Sequence, residues 1–270
     1  MEKRATDTFR SERDAAGRKD LLTPPGASKD LSNERLLVVS AHAADFVWRA
    51  GGAIALYASR GARVRVLCLS YGERGESQGL WKKEGMTLER VKQVRHEEAS
   101  KAAEVLGAEI RFFDAGDYPL KSTDALVEEL VQEFRGYQPT CVMTHTPIDP
   151  YNGDHTEASR LTMNARVYAQ AMGYPSPHKH LGAPPLFYFE PHQTEMCQFK
   201  PDVILDITPV FETKVKAMHC MDAQTHLWNY YTDVAKRRGT QGGRNSGNPQ
   251  IVYAEAFQRV YPQVVTDVLR

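Results

Sequence analysis

The sequence has no excess of charge of either sign, no paired cysteine motif and no long apolar run, and each absence removes a class of function. Lysine plus arginine number 34, and aspartate plus glutamate also number 34. A chain so balanced carries no broad electrostatic footprint for a polyanion, which excludes nucleic acid as a general partner. The four cysteines, Cys68, Cys141, Cys197 and Cys220, fall in no CxxC or other zinc-like spacing. In a chain of 270 residues they need not form a disulfide frame, and a reducing cytoplasm suits them. No stretch approaches the roughly 18 apolar residues of a membrane span, and the first residues lack the apolar core of a signal peptide. The expectation is a cytoplasmic protein with no membrane partner.

What is present fits an α/β enzyme. Apolar residues make up 41% and charged residues 25% of the chain, enough for a real core. Residues 1–34 carry seven basic and seven acidic side chains and little to bury, so they read as a flexible N-terminal arm. Residues 35–270 read as one catalytic domain. Buried strands are expected at Leu36–Ala41, Val64–Ser70, Ile110–Phe113 and Thr140–His145, each followed by a helical period. Gly61, Gly107 and Gly136 are placed to end the first three helices, and a fourth runs from Asp154 to about Met172. Two more strands are expected at Leu186–Phe189 and Val203–Ile207, with Thr208-Pro209 leading into a helix through Met218. Strand and helix in alternation predict a mainly parallel, Rossmann-like sheet with helices on both faces.

Ligands of such sheets bind beyond the carboxyl ends of the strands. Three ends are polar here: His42 to Asp45, Tyr71 to Arg74, and His145 through Asp154-His155. Two imidazoles and a carboxylate from His42, Asp45 and His155 would suit one zinc ion with positions open for water or substrate. On spacing alone, a His or Asp at a strand end is more often a cap or loop hydrogen-bonder than a ligand.

The same residues resemble a known family. Leu37 to Asp45 followed by Gly51-Gly52 resembles the opening of the LmbE-like (PIG-L) deacetylases, whose motif is His-Pro-Asp-Asp-Glu and then Gly-Gly. Ser70 to Gly75 resembles their Thr-Asp-Gly-Glu loop, and Arg95-His96-Glu97-Glu98-Ala99 their Arg-x-Glu-Glu-Ala helix. Asp154-His155 matches their Asp-His metal motif, Asp206-Ile207-Thr208 with Lys214 their Asp-Ile-Thr segment, and Tyr253 to Phe257 a stretch near their C-terminus. The resemblance spans about residues 35–260. It implies zinc, one per chain, held by His42, Asp45 and His155, although such a ligand set also accepts Fe(II) or Mn(II).

The departures bear on the reaction. The position of the deacetylases' general base is Ala44, the next acidic position is Phe46, and the histidine that assists their tetrahedral intermediate is replaced by Asn152. Amide hydrolysis needs a base for water and a donor for the leaving amine, so deacetylation by the usual route is disfavoured. Ser40 to Ala55 and Cys68 to Ser77 resemble the 4-oxalomesaconate hydratase branch. That branch implies addition of water to 4-oxalomesaconate (4-carboxy-2-hydroxymuconate), giving 4-carboxy-4-hydroxy-2-oxoadipate in the gallate and protocatechuate 4,5-cleavage route. It also implies a homo-oligomer such as a hexamer. The alternatives are a zinc N-deacetylase of an N-acetylglucosaminide and a non-catalytic binder that keeps the ligands.

Hydration needs a base and an acid, for which the candidates are Glu73, His192, Asp154 and His145, with Glu73 and His192 favoured. A small tricarboxylate needs donors, and Arg49, Arg74 and Arg244 are the natural forks, with Tyr151 and Asn152 beside them. Arg244 belongs to the glycine-rich stretch Gly239–Gly247, which reads as a surface loop or a lid. Trp48, Trp81, Trp228, His219 and His226 read as packing residues.

Overall fold

The structure, a computed structural model, describes residues 30–265. Residues 1–29 of the expected arm lie outside the described residues. The last part of the arm, 30–34, is docked: Leu31 is buried and its N–H donates to the Arg60 carbonyl at 2.9 Å.

Seven strands form one sheet, and alternation of buried β-branched residues with helical periods sets its first half. β1 (Arg35–Ser40), α1 (Asp45–Ser59), β2 (Arg63–Cys68), a short α2 (Gln78–Trp81), α3 (Leu88–Leu106) and β3 (Glu109–Phe112) follow in order. Next come α4 (Asp124–Tyr137), β4 (Cys141–Thr144), α5 (Gly153–Gln170) and β5 (Leu186–Phe189). The chain ends with β6 (Val203–Asp206), α6 (Phe211–Met218), α7 (Leu227–Ser246) and β7 (Ala254–Arg259). The spatial order is β3-β2-β1-β4-β5-β7-β6. The first five strands are parallel, and β7 runs antiparallel to both of its neighbours.

The period-2 pattern of β1 divides the core in two. Leu36 and Val38 face a cluster with α1, α3, α6 and α7, whereas Leu37 and Val39 face one with α4 and α5. Helices therefore cover both faces, as expected, and β1 lies at the centre with its carboxyl end beside that of β4. This is the switch point where doubly wound sheets bind ligands.

Two expectations of local structure are corrected. Gly136 does not end α4, which continues to Tyr137 and closes on Gln138 in the left-handed region at φ 53°. Nor is Gly239–Gly247 a loop or lid, since α7 runs to Ser246 and only Gly247 leaves it, at φ 71°. The glycines serve packing there: a Cβ on Gly239 would stand 1.9 Å from the Val252 carbonyl oxygen. The glycine run instead lets a helix lie against the segment that leads into β7.

The Gly-Gly pair of α1 has a similar explanation. Glu255, on β7, accepts from the Gly52 and Ala53 N–H groups at 2.7 and 2.8 Å inside that helix. Lys214 of α6 donates to the same carboxylate at 2.6 Å and to the Trp48 carbonyl at 2.9 Å. Both charges are buried, and each is satisfied by the other and by backbone, the condition under which a buried pair is tolerated. A Cβ on Gly52 would come within 2.6 Å of Ile207 Cδ1 and 3.0 Å of Glu255 Cδ. Gly52→Ala is therefore expected to cost about 2–3 kcal/mol. Thermal denaturation should show this as a Tm lowered by roughly 5–10 °C.

Candidate metal centre

Four side chains converge where β1, β2 and β4 end. His42 sits in the turn between β1 and α1, and Asp45 is the first residue of α1. Glu76 arrives from the loop after β2. Gly72 in that loop has φ 65°, and a Cβ there would lie 3.2 Å from His42 Cβ, so the close crossing over His42 requires glycine. His155 stands in the first turn of α5, whose N-cap Asn152 accepts from the Asp154 N–H at 3.1 Å. One donor atom from each of His42, Asp45, Glu76 and His155 lies within 4.8 Å of the others.

Hydrogen bonds behind the cluster decide which nitrogens face it. His42 Nε2 lies 3.2 Å from Asp154 Oδ2, and its Nδ1 lies 3.1 Å from Asp45 Oδ2 and 3.2 Å from Glu76 Oε1. His155 Nδ1 donates to Asp149 Oδ2 at 2.8 Å, which turns its Nε2 toward Asp45 and Glu76 at 3.4 and 3.8 Å. That buried Nε2 has no hydrogen-bond partner among the described residues. A lone pair so oriented, beside two carboxylates, calls for a cation. The donor set therefore fits a divalent metal of the zinc type, with Asp154 and Asp149 fixing the tautomers of the two imidazoles.

The electrostatics agree with this division. Burial alone would raise the Asp45 carboxyl, but the imidazoles of His155 and His145 hold it well below the usual carboxylate range. Asp149 is likewise lowered, because the His155 contact outweighs its partial burial. Asp149→Asn should weaken metal affinity by about 10–100-fold, measured as the Kd for zinc by competition with a chromogenic chelator.

A cavity of about 220 Å³ opens above the cluster. Of the residues singled out in the sequence, Asp45, His155, Arg49, Tyr151, Asn152 and His192 line it. Arg49 is buried, with Nε 3.4 Å from Asp45 Oδ1 and Nη1 donating to the Glu190 carbonyl at 3.3 Å. Asn152 Nδ2 donates to Glu76 Oε1 at 3.2 Å. His192 is exposed at the rim, its ring stacked on Tyr230 at 4.2 Å. Partial desolvation of its ring and the nearby Arg49 hold the His192 imidazole below its ordinary value.

The remaining candidates lie elsewhere. Glu73 is fully buried, pushed up by burial, and its Oε1 meets Arg74 Nη1 at 3.3 Å outside the cavity. Arg74 is spent on that contact and on the Asp117 carbonyl at 3.1 Å, which staples the loop instead of facing the cavity. Asp154 accepts from the Tyr118 and Leu120 N–H groups at 2.9 and 2.8 Å, so it orients His42 from behind. His145 Nε2 accepts from the Ala41 N–H at 3.0 Å and its ring stacks on His155 at 4.2 Å. Burial holds the His145 imidazole well below its usual value, and it acts as a wall. Arg244 is exposed on the last turn of α7, away from the cavity lining. Glu76 and Asp149 were missed. The second glutamate of Gly72-Glu73-Arg74-Gly75-Glu76 and the aspartate six residues before His155 were the available signals.

Comparison with known proteins gives a consistent picture. The sequence model of the family described as "PIG-L: GlcNAc-PI de-N-acetylase" matches residues 37–166. The 4-oxalmesaconate hydratase of Pseudomonas putida is 52% identical over 235 residues, covering 86% of this chain and 91% of the relative. The chain belongs to the PIG-L family. The diacetylchitobiose deacetylase of Thermococcus kodakarensis is a more distant PIG-L relative, 27% identical over 84% of this chain and 83% of its own. Among solved structures, GalB, the 4-carboxy-2-hydroxymuconate hydratase from Pseudomonas putida, superimposes with a TM-score of 0.85 at 52% identity. It covers 87% of this chain and 99% of that one. The N,N'-diacetylchitobiose deacetylase of Pyrococcus horikoshii, at 21% identity and a TM-score of 0.69 over 96% and 95% of the two chains, shows the shared PIG-L fold.

Proposed function

We propose that this PIG-L protein is a zinc-dependent hydratase that adds water to 4-oxalomesaconate to give 4-carboxy-4-hydroxy-2-oxoadipate. The observation that carries the reading is an intact donor cluster beside Ala44, where the family's deacetylases place their base. The high identity to a protein named as a hydratase supports it. A divalent ion held by His42, Asp45 and His155 would supply Lewis acidity toward the 2-oxo acid or toward water.

The chain's own groups supply the rest. Glu76 faces the three ligands and is fixed by Asn152 Nδ2, so its carboxylate is placed to take the proton from water as the oxygen bonds to carbon 4. His192, across the cavity and in contact with solvent, is placed to deliver the proton to the adjacent carbon. No amine leaves, which makes Asn152 compatible with the reaction. Arg49 gives one carboxylate of the substrate a cationic partner. The same reading places the enzyme in gallate or protocatechuate 4,5-cleavage, in the cytoplasm, as a homo-oligomer. Four free thiols are compatible with that compartment, and the exposed Val167 and Tyr168 of α5, with Met172 just beyond its end, support a subunit contact.

Purified protein incubated with 4-oxalomesaconate should bleach the conjugated chromophore, and a chelator should stop it. Acetate released from an N-acetylglucosaminide, with no bleaching, would return the protein to the deacetylases.

A further inference from the structure

The cavity above the metal cluster continues into a second one of about 410 Å³, and the two share Glu76, Tyr118 and Gln224. Lys82, Lys83 and His226 line the outer chamber, with Asp222 also in its wall. Among the described residues the lysine ion pairs are those of Lys92 and Lys214, so Lys82 and Lys83 are not held in a direct ion pair there. Gln224 stands at the throat between the chambers.

Its orientation is set from behind. Gln224 is buried, and its Oε1 accepts from Arg95 Nη2 at 2.9 Å. Arg95 is itself fully buried, with Nη1 donating to Glu98 at 2.7 Å and Nε to the Tyr71 carbonyl at 3.3 Å. Glu98 also accepts the Ala223 N–H at 2.8 Å, so the pair grips both the side chain and the backbone of the turn. A guanidinium has no acceptor, which obliges the amide oxygen to face it and turns Nε2 the other way. Nε2 makes no hydrogen bond among the described residues and is not sealed from solvent, so it opens on the cleft.

We propose that Gln224 is a substrate-binding residue whose Nε2 donates to the carboxylate of the substrate that points from the metal cavity toward the outer chamber. Arg95 and Glu98 are its positioning residues. The inference rests on the hydratase reading for the identity of the anion. In the inner cavity Arg49 is shared with Asp45, so a trianion needs further donors, and the throat provides one backed by two lysines.

The test uses Gln224→Met and Gln224→Glu in the metal-loaded protein, with kinetics on 4-oxalomesaconate and calorimetric binding of tricarballylate, a saturated tricarboxylate. Losing one hydrogen bond to a charged group should raise both KM and the tricarballylate Kd by about 10-fold, with kcat changed by less than about threefold. Gln224→Glu keeps the acceptor for Arg95, and with it the fold, yet sets a carboxylate against the substrate. Its effect should be larger, with metal content unchanged. Unchanged KM and Kd in both variants would overturn the proposal, as would wild-type protein that does not bind tricarballylate. Wild type that binds tricarballylate but leaves 4-oxalomesaconate unreacted would instead sink the hydratase reading, and the two Kd values would still decide the role of Gln224.

Discussion

Replacing His155 by alanine is expected to leave the purified protein without stoichiometric metal and to abolish measurable bleaching of 4-oxalomesaconate. His155 Nε2 is a buried nitrogen without a hydrogen-bond partner among the described residues, and Asp149 holds its ring so that the lone pair meets Asp45 and Glu76. Removing it deletes one of two imidazoles from the cluster and leaves carboxylates facing one another. Lewis-acid polarisation is worth several kcal/mol in the transition state. At about 1.4 kcal/mol per factor of ten, the loss in kcat/KM should be on the order of 10³-fold or more. Metal content by mass spectrometry, read beside the progress curves, checks the assignment. A variant that keeps full metal would refute the ligand set.

Glu76→Gln is expected to separate chemistry from metal binding. The amide keeps the shape of the side chain and an oxygen for Asn152 Nδ2, so the cluster should still load. Without a carboxylate to take the proton from water, kcat should fall by about 10²–10⁴-fold with KM nearly unchanged. The contrast with Glu73→Gln decides between the two glutamates of the loop. Glu73 lies outside the cavity, so its substitution should act on stability and leave kcat close to wild type. A larger loss of kcat in Glu73→Gln than in Glu76→Gln would restore the assignment that loop position alone suggests.

That pair shows where sequence reasoning reached its limit. Strand periodicity and glycine stops located the elements of the parallel half, because each signal is local to the element it marks. Three members of the candidate metal cluster, His42, Asp45 and His155, are legible because two of them flank one turn and the third begins a helix. Glu76 was not, since Glu73 and Glu76 differ only in which way a glycine-bearing loop turns each side chain, and that is settled by Gly72 passing His42. α7 was read in part as a mobile loop because the reason for its glycines, the carbonyl of Val252, lies in another part of the chain. The imidazole His145 and the carboxylate Asp154 had the right chemistry and the right neighbourhood. Only their contacts show where each is held: His145 accepts from Ala41 and stacks on His155, and Asp154 accepts from Tyr118 and Leu120 behind His42.

The strand order also has a consequence for how the protein is made. β7, the last of the seven strands in chain order, lies inside the sheet between β5 and β6, and among the described residues β6 has no other strand neighbour. Until residue 259 has emerged, β5 is an open edge, β6 is unpaired, and Lys214 waits in the nascent chain for the carboxylate of Glu255. The helix that carries Asp45 and Arg49 thus receives its buried brace from Glu255, 203 residues after Gly52. Stalled chains shorter than this are expected to remain sensitive to protease along α1 and α6 and to acquire resistance in one step once β7 is free of the exit tunnel. Assembly around Asp45 is in effect a check on whether translation has passed β7.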